Sequence, residues 1–385
     1  MRVCLAYDCL FPYTVGGAER WYRNLAAELV AAGHDVTYLT RRQWPRDERP
    51  AVPGVRVVVV SPEDELYVGD RRRIGPPLRF GAGVLRHLAT NRHRYDAVHL
   101  CAFPYFSLLA ARAALAGTTV PIGVDWFEVW SAEYWREYLG GAAGKIGELV
   151  QRLCVLATPT AYVFSDLHRR RLEDAGLPGR AVRPGGLYAG PLEPQAHEGG
   201  REPLVVFAGR HIPEKQTELV PAAVAAARER VPGLRGLILG DGPRRPRVLE
   251  AIQTAEAAGF VSAPGFVAAD EVRQALGQAA VNVLPSSREG YGMVVVEAAA
   301  LGTPSVVLAG PDNSAVELIE EGVNGFVAAT AEDLPAAIVA ACQGGGELRR
   351  STAAWFATKA PELSASGAGR TIVAELENQR ASARR

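Results

Sequence analysis

The segment over residues 287–307 (SREGYGMVVVEAAALGTPSVV) constrains the fold more than any other part of the chain. A short apolar run over 280–284 precedes it, and a helical run over 293–301 follows its glycine-bearing turn. A Gly-Thr-Pro sequence at 302–304 ends that helix, and residues 305–308 have the pattern of a buried strand. Strand, loop, helix and strand in this order form the repeating unit of a parallel sheet, so the segment predicts an α/β fold.

The same alternation runs through both halves of the chain, which at 385 residues is too long for one ordinary core. We predict two Rossmann-like domains that face each other across a cleft. Their predicted bounds are 1–186 and 203–364, joined by a Pro/Gly-rich linker over 187–202. Apolar runs typical of strands lie over 3–7, 34–40, 55–60, 95–100, 120–124, 161–166, 204–208, 236–239, 261–267, 280–284, 305–308 and 322–327.

Two carboxylates, Glu289 and Glu297, bracket the turn and the helix start, with seven residues between them. A carboxylate in Glu297's position can accept hydrogen bonds from a ribose diol, although an ordinary helix glutamate is the alternative. Because its neighbours are apolar, a bare carboxylate there would be costly without a partner. The backbone N–H groups at the helix start are candidate donors to a diphosphate, and they belong to Gly290, Tyr291, Gly292 and Met293.

A second candidate phosphate site follows the strand over 204–208, where Gly209 and Arg210 precede Lys215. The chain has 39 arginines but only three lysines, which indicates a bias towards arginine. A lysine kept against that bias suggests a site that needs a compact ammonium, since a planar guanidinium binds differently. We therefore predict that Arg210 and Lys215 bind a phosphate, with a solvated surface charge as the alternative.

Several classes of protein are excluded or disfavoured. The net charge is zero and the pI about 7.1, so nothing predicts nucleic-acid binding. The five cysteines lack any C-x-x-C pair, no clustered His and Cys suggest a metal site, and the sequence has no G-x-G-x-x-G or Walker-type phosphate loop. Without a signal peptide or an apolar stretch of membrane-spanning length, we predict a cytoplasmic protein that could still touch the inner face of the cell membrane.

The first half offers three further candidate regions. Gly16 and Gly17 lie between the first strand and its helix, where a backbone can approach a ligand closely, although a plain tight turn is the alternative. Aromatic residues over 126–138 follow a strand end; they either form a platform for a sugar or an amphipathic acceptor, or seal the core. The arginines at 71–73 lie in a polar segment over 61–80, as a solvated loop or an anion contact.

These motifs together resemble the retaining glycosyltransferases of the GT-B fold, family 4. The resemblance rests on the two glutamates with seven residues between them, and it extends in the right order over nearly the whole chain. Its further parts are 16–20 (GGAER), Gly209-Arg210 with Glu214-Lys215, 240–243 (GDGP) and 322–326 (GVNGF).

The resemblance implies roles for individual residues. Arg210 and Lys215 would bind the diphosphate of a nucleotide-sugar donor, Glu297 its ribose, and Glu289 the hydroxyls of the transferred sugar. The backbone at Gly17 would close over the phosphates. Main-chain contacts at Phe266 and Val267 would hold the nucleobase, and a C-terminal helix from about residue 365 would cross back to the first domain.

One departure concerns the residue after the strand over 120–124. Family members often have a histidine there that faces the donor sugar, whereas this sequence has Asp125 and Trp126. Asp125 or Glu128 could serve the donor sugar or the acceptor nucleophile instead. His99 is another candidate at a strand end, with a structural histidine as the alternative, and Trp126 and Trp130 are candidate acceptor contacts.

The sequence therefore predicts a retaining, metal-independent glycosyltransferase that needs no resident cofactor. Its expected donor is a nucleotide-diphosphate sugar, with UDP favoured, and its acceptor carries a hydroxyl group. A lipid, a cell-wall component, a small-thiol precursor and a natural product all remain open as acceptors, as does the oligomeric state. The alternatives are a sugar-nucleotide epimerase of the same fold and a non-catalytic sugar-nucleotide-binding protein.

Overall fold

The computed structural model describes residues 1–48, 50–68, 71–195 and 203–383. They form two compact units: unit 1 comprises Met1–Ala189 and Ser364–Arg385, and unit 2 comprises Gly190–Leu363. Residues 196–202, which belong to the predicted linker, lie outside the described residues.

Unit 1 is built on a parallel sheet. Its strands are β1 (Arg2–Ala6), β2 (Asp35–Arg41), β3 (Val55–Ser61), β4 (Tyr67–Val68), β5 (Arg71–Arg72), β6 (Ala97–Cys101), β7 (Ile122–Trp126), β8 (Thr160–Val163) and β9 (Arg180–Val182). Within the described residues, seven of them form one sheet in the order β3-β2-β1-β6-β7-β8-β9, and β4 and β5 form a separate antiparallel pair. The order reverses between β1 and β6, which makes their carboxyl ends a typical ligand-binding edge.

Helices cover both faces of this sheet. They are α1 (Gly17–Ala31), α2 (Gly75–Asn91), α3 (Phe106–Ala114), α4 (Ala132–Leu139), α5 (Gly141–Leu156) and α6 (Asp166–Asp174), with a 3-10 turn at Arg92–Arg94. Side chains alternate between the faces: Val124 and Trp126 join the apolar core that contains residues of α2, α3 and α5. Asp125, between them, points to the opposite face, where Trp21 of α1 contacts it.

Unit 2 repeats the design with a second parallel sheet. Its strands are β10 (Leu204–Ala208), β11 (Arg235–Leu239), β12 (Val261–Gly265), β13 (Val281–Leu284), β14 (Arg288–Glu289), β15 (Ser305–Leu308), β16 (Asp312–Asn313) and β17 (Gly325–Ala328). In the part of this unit that the structure describes, six strands run in the order β12-β11-β10-β13-β15-β17, and β14 pairs separately with β16. Here the order reverses between β10 and β13.

The helices of unit 2 are α7 (Val220–Arg228), α8 (Arg245–Thr254), α9 (Ala269–Gln278), α10 (Met293–Ala299) and α11 (Leu334–Leu363). Short 3-10 turns lie at Pro213–Lys215, Thr217–Leu219, Ser314–Leu318 and Ala331–Asp333. Helix α11 is interrupted at Gly345, whose φ of 47° and ψ of −132° are not helical.

After α11 the chain enters α12 (Ala365–Ala383), which belongs to unit 1. Its Gln379 donates a hydrogen bond of 3.2 Å to Thr160 of β8. Its Arg380 lies 3.2 Å from Asp96, whose carboxylate also accepts two side-chain hydrogen bonds from Arg2. Asp96 thus ties the C-terminal helix to the first strand.

We predict that this tie weakens in acid. Hydrogen bonding from Arg2 holds the pKa of Asp96 well below its usual range. The stabilisation is therefore complete above the unfolded pKa of about 3.9 and is lost as the pH falls towards the lower folded pKa. The Asp96→Asn variant should unfold at a lower temperature than the wild type at pH 7, and this difference should shrink below about pH 4. The exposed Asp174 provides the control Asp174→Asn, which should show no such pH-dependent difference; a constant difference for Asp96→Asn would refute the role of its charge.

Two parts of unit 1 differ from the sequence-based expectation. The polar excursion predicted over 61–80 contains β4, β5 and the start of α2. Helix α2 begins with Pro76 and Pro77 in its first turn, where a missing N–H costs no helical hydrogen bond. Helix α5 occupies residues 141–156, where no element is predicted from the sequence.

Candidate active site

Glu289 is the centre of the best-defined polar cluster in unit 2. Its carboxylate Oε1 accepts a hydrogen bond from Lys215 Nζ at 2.5 Å and another from Ser286 Oγ at 2.6 Å. The Glu289 side chain is 9% exposed and that of Lys215 is 22% exposed. The desolvation free energy of burying a carboxylate is offset in part by a direct cationic partner, which a bare carboxylate lacks.

The sheet topology explains why these residues meet. Lys215 follows β10 and Glu289 follows β13, and these neighbouring parallel strands flank the point where the strand order reverses. Loops at the carboxyl ends of such strands enclose the usual ligand crevice of an open α/β sheet. The cluster therefore lies where the fold itself predicts a ligand site.

Further contacts join the two loops. Glu214 accepts a hydrogen bond from the backbone N–H of Ser287 at 2.9 Å, and its carboxylate lies 3.0 Å from Arg288 Nη2. Ser314 Oγ donates to the backbone carbonyl of Glu289 at 2.8 Å. These bonds fix the backbone on both sides of the Lys215–Glu289 pair, so the pair is held in place before any ligand binds.

Gly292 sets the path of the chain between the two glutamates. Its φ of 93° favours glycine, and a Cβ there would lie 2.6 Å from the Cβ of Ala315. Helix α10 then begins at Met293 and places Glu297 on its second turn, half buried. Glu289 lies before the helix, in the short strand β14, so of the two glutamates only Glu297 lies on a helical turn.

The other predicted donor contacts lie around the same sheet edge. Arg210 is exposed on the loop after β10. Phe266 follows β12 and is 76% exposed, an unusual position for a large aromatic side chain, and Val267 beside it is half buried. The loops after β10 and β11 lie against each other, since a Cβ on Gly240 would lie 1.9 Å from the carbonyl oxygen of Gly209.

In unit 1, Asp125 lies in the interior, although the sequence makes it a candidate contact for the donor sugar or the acceptor. It is fully buried, and its Oδ2 accepts a hydrogen bond of 2.7 Å from Trp21 Nε1 and lies 2.9 Å from His99 Nε2. Burial, reinforced by the nearby Asp125 carboxylate, raises the pKa of Tyr22 well above its usual range, so this phenol stays neutral. The position of Asp125 and His99 between the sheet and α1 favours a structural role for both over catalysis or acceptor binding.

The predicted aromatic platform divides into two parts. Trp126 is fully buried, and its Nε1 donates to Thr158 at 3.2 Å, so its position corresponds to the core alternative. Trp130 is half buried and stacks edge-on against Tyr134, with ring centroids 4.8 Å apart. Its Nε1 donates to Glu128 at 2.8 Å, so Glu128 and Trp130 stay together at the edge of the sheet.

Gly16 and Gly17 lie at the start of α1, as the sequence predicts. Gly17 is exposed, and Gly16 precedes the helix with an extended backbone. The Glu19 carboxylate folds back over Gly16, so that a Cβ on Gly16 would lie 2.4 Å from Glu19 Oε2. The motif over 16–20 includes this glutamate, but the sequence reasoning gave it no role; the first turn of a helix is a typical place for a carboxylate.

The structure adds roles for Ser286, Ser314 and Glu214, to which the sequence reasoning gave none, although Glu214 belongs to one of the motifs. The two serine hydroxyls donate to Glu289, at its carboxylate and at its backbone carbonyl, and the Glu214 carboxylate accepts from the Arg288 side chain. Among the described residues, no group of three or more His, Cys, Asp or Glu side chains is arranged to hold a metal ion. None of the described helices has the length and apolar character needed to cross a bilayer.

Comparison with known families matches both units. Residues 16–186 match the model of the glycosyl transferase 4-like domain, and residues 202–344 match that of the glycosyl transferases group 1. The chain belongs to the group 1 glycosyltransferases of family 4. The family assignment made from the sequence motifs is thereby confirmed.

Two curated relatives cover most of the glycosyltransferase. A GDP-mannose-dependent alpha-(1-6)-phosphatidylinositol monomannoside mannosyltransferase from Mycobacterium tuberculosis is 25% identical over 344 residues, 82% of each chain. The sulfoquinovosyl transferase of Arabidopsis thaliana is 35% identical over 327 residues, which cover 81% of this chain and 61% of that protein.

Solved structures share the fold. A sucrose-phosphate synthase from Thermosynechococcus elongatus aligns over 99% of both chains with a TM-score of 0.82 and 18% identity. Anabaena HepE, solved with UDP and glucose, aligns over 98% of this chain and 100% of its own, with a TM-score of 0.72 and 17% identity. The glycosyltransferase therefore has the predicted GT-B fold class with two parallel-sheet domains.

Proposed function

We propose that this glycosyltransferase transfers a sugar from a nucleotide-diphosphate sugar to a hydroxyl-bearing acceptor with retention of the anomeric configuration. The observation that carries the proposal is the Lys215–Glu289 pair, held by Ser286 at the switch point of the unit 2 sheet. It combines a cation for a phosphate with a carboxylate for sugar hydroxyls in one fixed cluster.

The ammonium group of Lys215 can bond to Glu289 and to a donor phosphate at the same time. An ammonium group has three donors, so it can keep its bond to Glu289 while donating to a phosphate oxygen. Because it would lie between two anions, it would also reduce the repulsion between the Glu289 carboxylate and the diphosphate. Arg210, exposed on the same loop, would add a bidentate contact to the phosphates.

The remaining donor contacts follow the predicted assignment. Glu297 would accept hydrogen bonds from the ribose, and the exposed Phe266 with Val267 would cover the nucleobase. The backbone at Gly290, Tyr291, Gly292 and Met293 would line the phosphate side. We assign neutralisation of the diphosphate to Arg210 and Lys215 rather than to a metal ion, so activity should survive a chelator such as EDTA.

The reaction breaks the bond between the sugar C1 and the donor phosphate oxygen. The acceptor oxygen forms its bond to C1 on the face that the phosphate leaves, and the acceptor proton passes to the departing phosphate oxygen. Glu289 orients the sugar and forms no covalent intermediate. Arg210 and Lys215 stabilise the charge that develops on the leaving group.

The names of two similar proteins bear on the choice of donor and acceptor. The mycobacterial relative is named for a phosphatidylinositol mannoside acceptor, which supports a lipid among the acceptors considered. That relative is named for GDP-mannose, whereas HepE was solved with UDP and glucose. We favour UDP and keep GDP as the alternative. The acceptor is proposed to bind on unit 1, near Glu128 and Trp130.

A panel of UDP-, GDP- and dTDP-sugars tests the proposal. The folded protein should bind at least one of them and hydrolyse it slowly in the absence of an acceptor. Release of free sugar distinguishes this enzyme from an epimerase, which would return an isomeric nucleotide sugar, and from a binding protein, which would return the donor unchanged. Failure to bind any member of the panel would refute the proposal.

A further inference from the structure

Helix α5 of unit 1 carries an exposed line of large apolar side chains. Ile146, Leu149, Leu153 and Leu156 are 63%, 56%, 46% and 49% exposed. Their spacing of three, four and three residues places them along one side of the helix, over about 15 Å. Soluble monomeric proteins rarely expose a contiguous apolar patch of this kind unless it is used for binding.

The opposite side of α5 packs against the rest of unit 1. Gly147 lies against Trp135, since a Cβ on Gly147 would lie 2.3 Å from the indole ring, and Gly144 approaches the backbone of Arg136 closely. Cys154 and Val155 are fully buried in the core of unit 1. The exposed line is therefore not required to hold α5 on its unit.

Two cations border the exposed line. Lys145 and Arg152 are exposed. Each directly precedes a residue of the apolar line, Ile146 or Leu153, so both lie on the same side of that line, two helical turns apart. In the part of the chain that the structure describes, neither forms an ion pair. The only acid exposed on α5, Glu148, lies further round the helix on the same flank, beyond Arg152.

This charge pattern disfavours a second copy of the chain as the occupant. If the apolar lines of two α5 helices packed in antiparallel fashion, Lys145 of one copy would face Arg152 of the other, so like charges would meet. In a parallel pair the same cations would face Val150 and Ala157, which offer no charge. An apolar line flanked by unpaired cations instead matches a surface with an apolar interior and anionic groups at its rim.

We propose that α5 docks unit 1 onto an anionic lipid surface. The helix would lie in the plane of the membrane interface, with Ile146, Leu149, Leu153 and Leu156 among the acyl chains. Lys145 and Arg152 would contact the lipid phosphates. This inference does not depend on the proposed transfer reaction, because it concerns attachment and can be measured without any donor or acceptor.

Vesicle binding by the full chain tests the inference. The protein should float with vesicles of phosphatidylcholine mixed with phosphatidylglycerol, and far less with phosphatidylcholine alone. Replacing Leu149 and Leu153 with serine should lower the partition coefficient by roughly tenfold or more. The double substitution Lys145→Gln/Arg152→Gln should lower it on anionic vesicles by roughly tenfold and leave the weak binding to neutral vesicles unchanged.

A matched control comes from unit 2 residues of similar exposure. Leu249 is 43% exposed and the Lys359 side chain is 46% exposed, so the variant Leu249→Ser/Lys359→Gln changes the same chemistry elsewhere and should bind vesicles like the wild type. Circular dichroism checks that every variant is folded. No binding to anionic vesicles overturns the inference, as does equal binding to both vesicle types. A dimer in solution that the Leu149/Leu153 variant dissociates would identify a second copy as the occupant and also overturn it.

Discussion

Replacing Lys215 with alanine should lower donor turnover by roughly 10³-fold, the scale of removing one charge-stabilising donor from an active site. The substitution has two effects. It removes the cation proposed for the diphosphate, and it leaves the largely buried Glu289 with a hydrogen bond from Ser286 in place of an ion pair. The measurement is the rate of donor hydrolysis, together with donor affinity by calorimetry.

The chain offers a matched lysine for comparison. Lys359 lies on α11 and pairs with Glu362 at 3.5 Å on the surface, where an ion pair contributes little. Lys359→Ala should therefore leave turnover unchanged. Lys215→Arg separates charge from shape, since it keeps the cation but not the compact ammonium, and we expect only partial recovery. If Lys215→Ala kept wild-type donor affinity and turnover, the assignment of Lys215 to the donor site would be refuted.

The second large effect is on stability. Replacing Asp125 with alanine should lower the free energy of unfolding of unit 1 by about 3 kcal/mol, because the buried Trp21 N–H and the His99 ring lose their partner. Five of the six tryptophans lie in unit 1, so chemical unfolding of the full chain followed by tryptophan fluorescence reports on this unit.

The conservative variant distinguishes the structural role from a catalytic one. Asp125→Asn keeps an oxygen that can accept the Trp21 hydrogen bond, so it should lose less stability than Asp125→Ala. If Asp125 is structural, donor turnover by folded Asp125→Asn should stay within a few-fold of the wild type. A large loss of turnover with unchanged stability would restore the catalytic role that the sequence suggested for this residue.

Much of the unit 2 site could be predicted from sequence because the relevant residues follow strands of a regular α/β alternation. Lys215 and Glu289 each come soon after a buried strand, and parallel strands bring such positions to one edge of a sheet. The contact between their side chains could not be predicted, since it depends on β10 and β13 being neighbours. The hydroxyl of Ser286 completes the arrangement through a local loop conformation, and the sequence does not show that this hydroxyl bonds to Glu289.

Asp125 shows why the unit 1 site was harder to predict. A polar residue near a strand end can face either the ligand edge or the sheet's covered face. Strand periodicity places Asp125 on the side opposite Val124 and Trp126, but it does not reveal that Trp21 lies there, 104 positions earlier in the chain. Helix α5 was missed for a different reason. Apolar residues at helical spacing normally face the core, whereas the apolar line of α5 is exposed.

The stereochemistry of donor hydrolysis tests the central claim most directly. Proton NMR of the sugar first released from an α-linked nucleotide sugar identifies its anomer before mutarotation mixes the two forms. A retaining reaction at the Lys215–Glu289 cluster releases the α-anomer first, and Lys215→Ala should release it roughly 10³-fold more slowly. Initial release of the β-anomer, or release of the α-anomer at an unchanged rate by Lys215→Ala, would contradict the account.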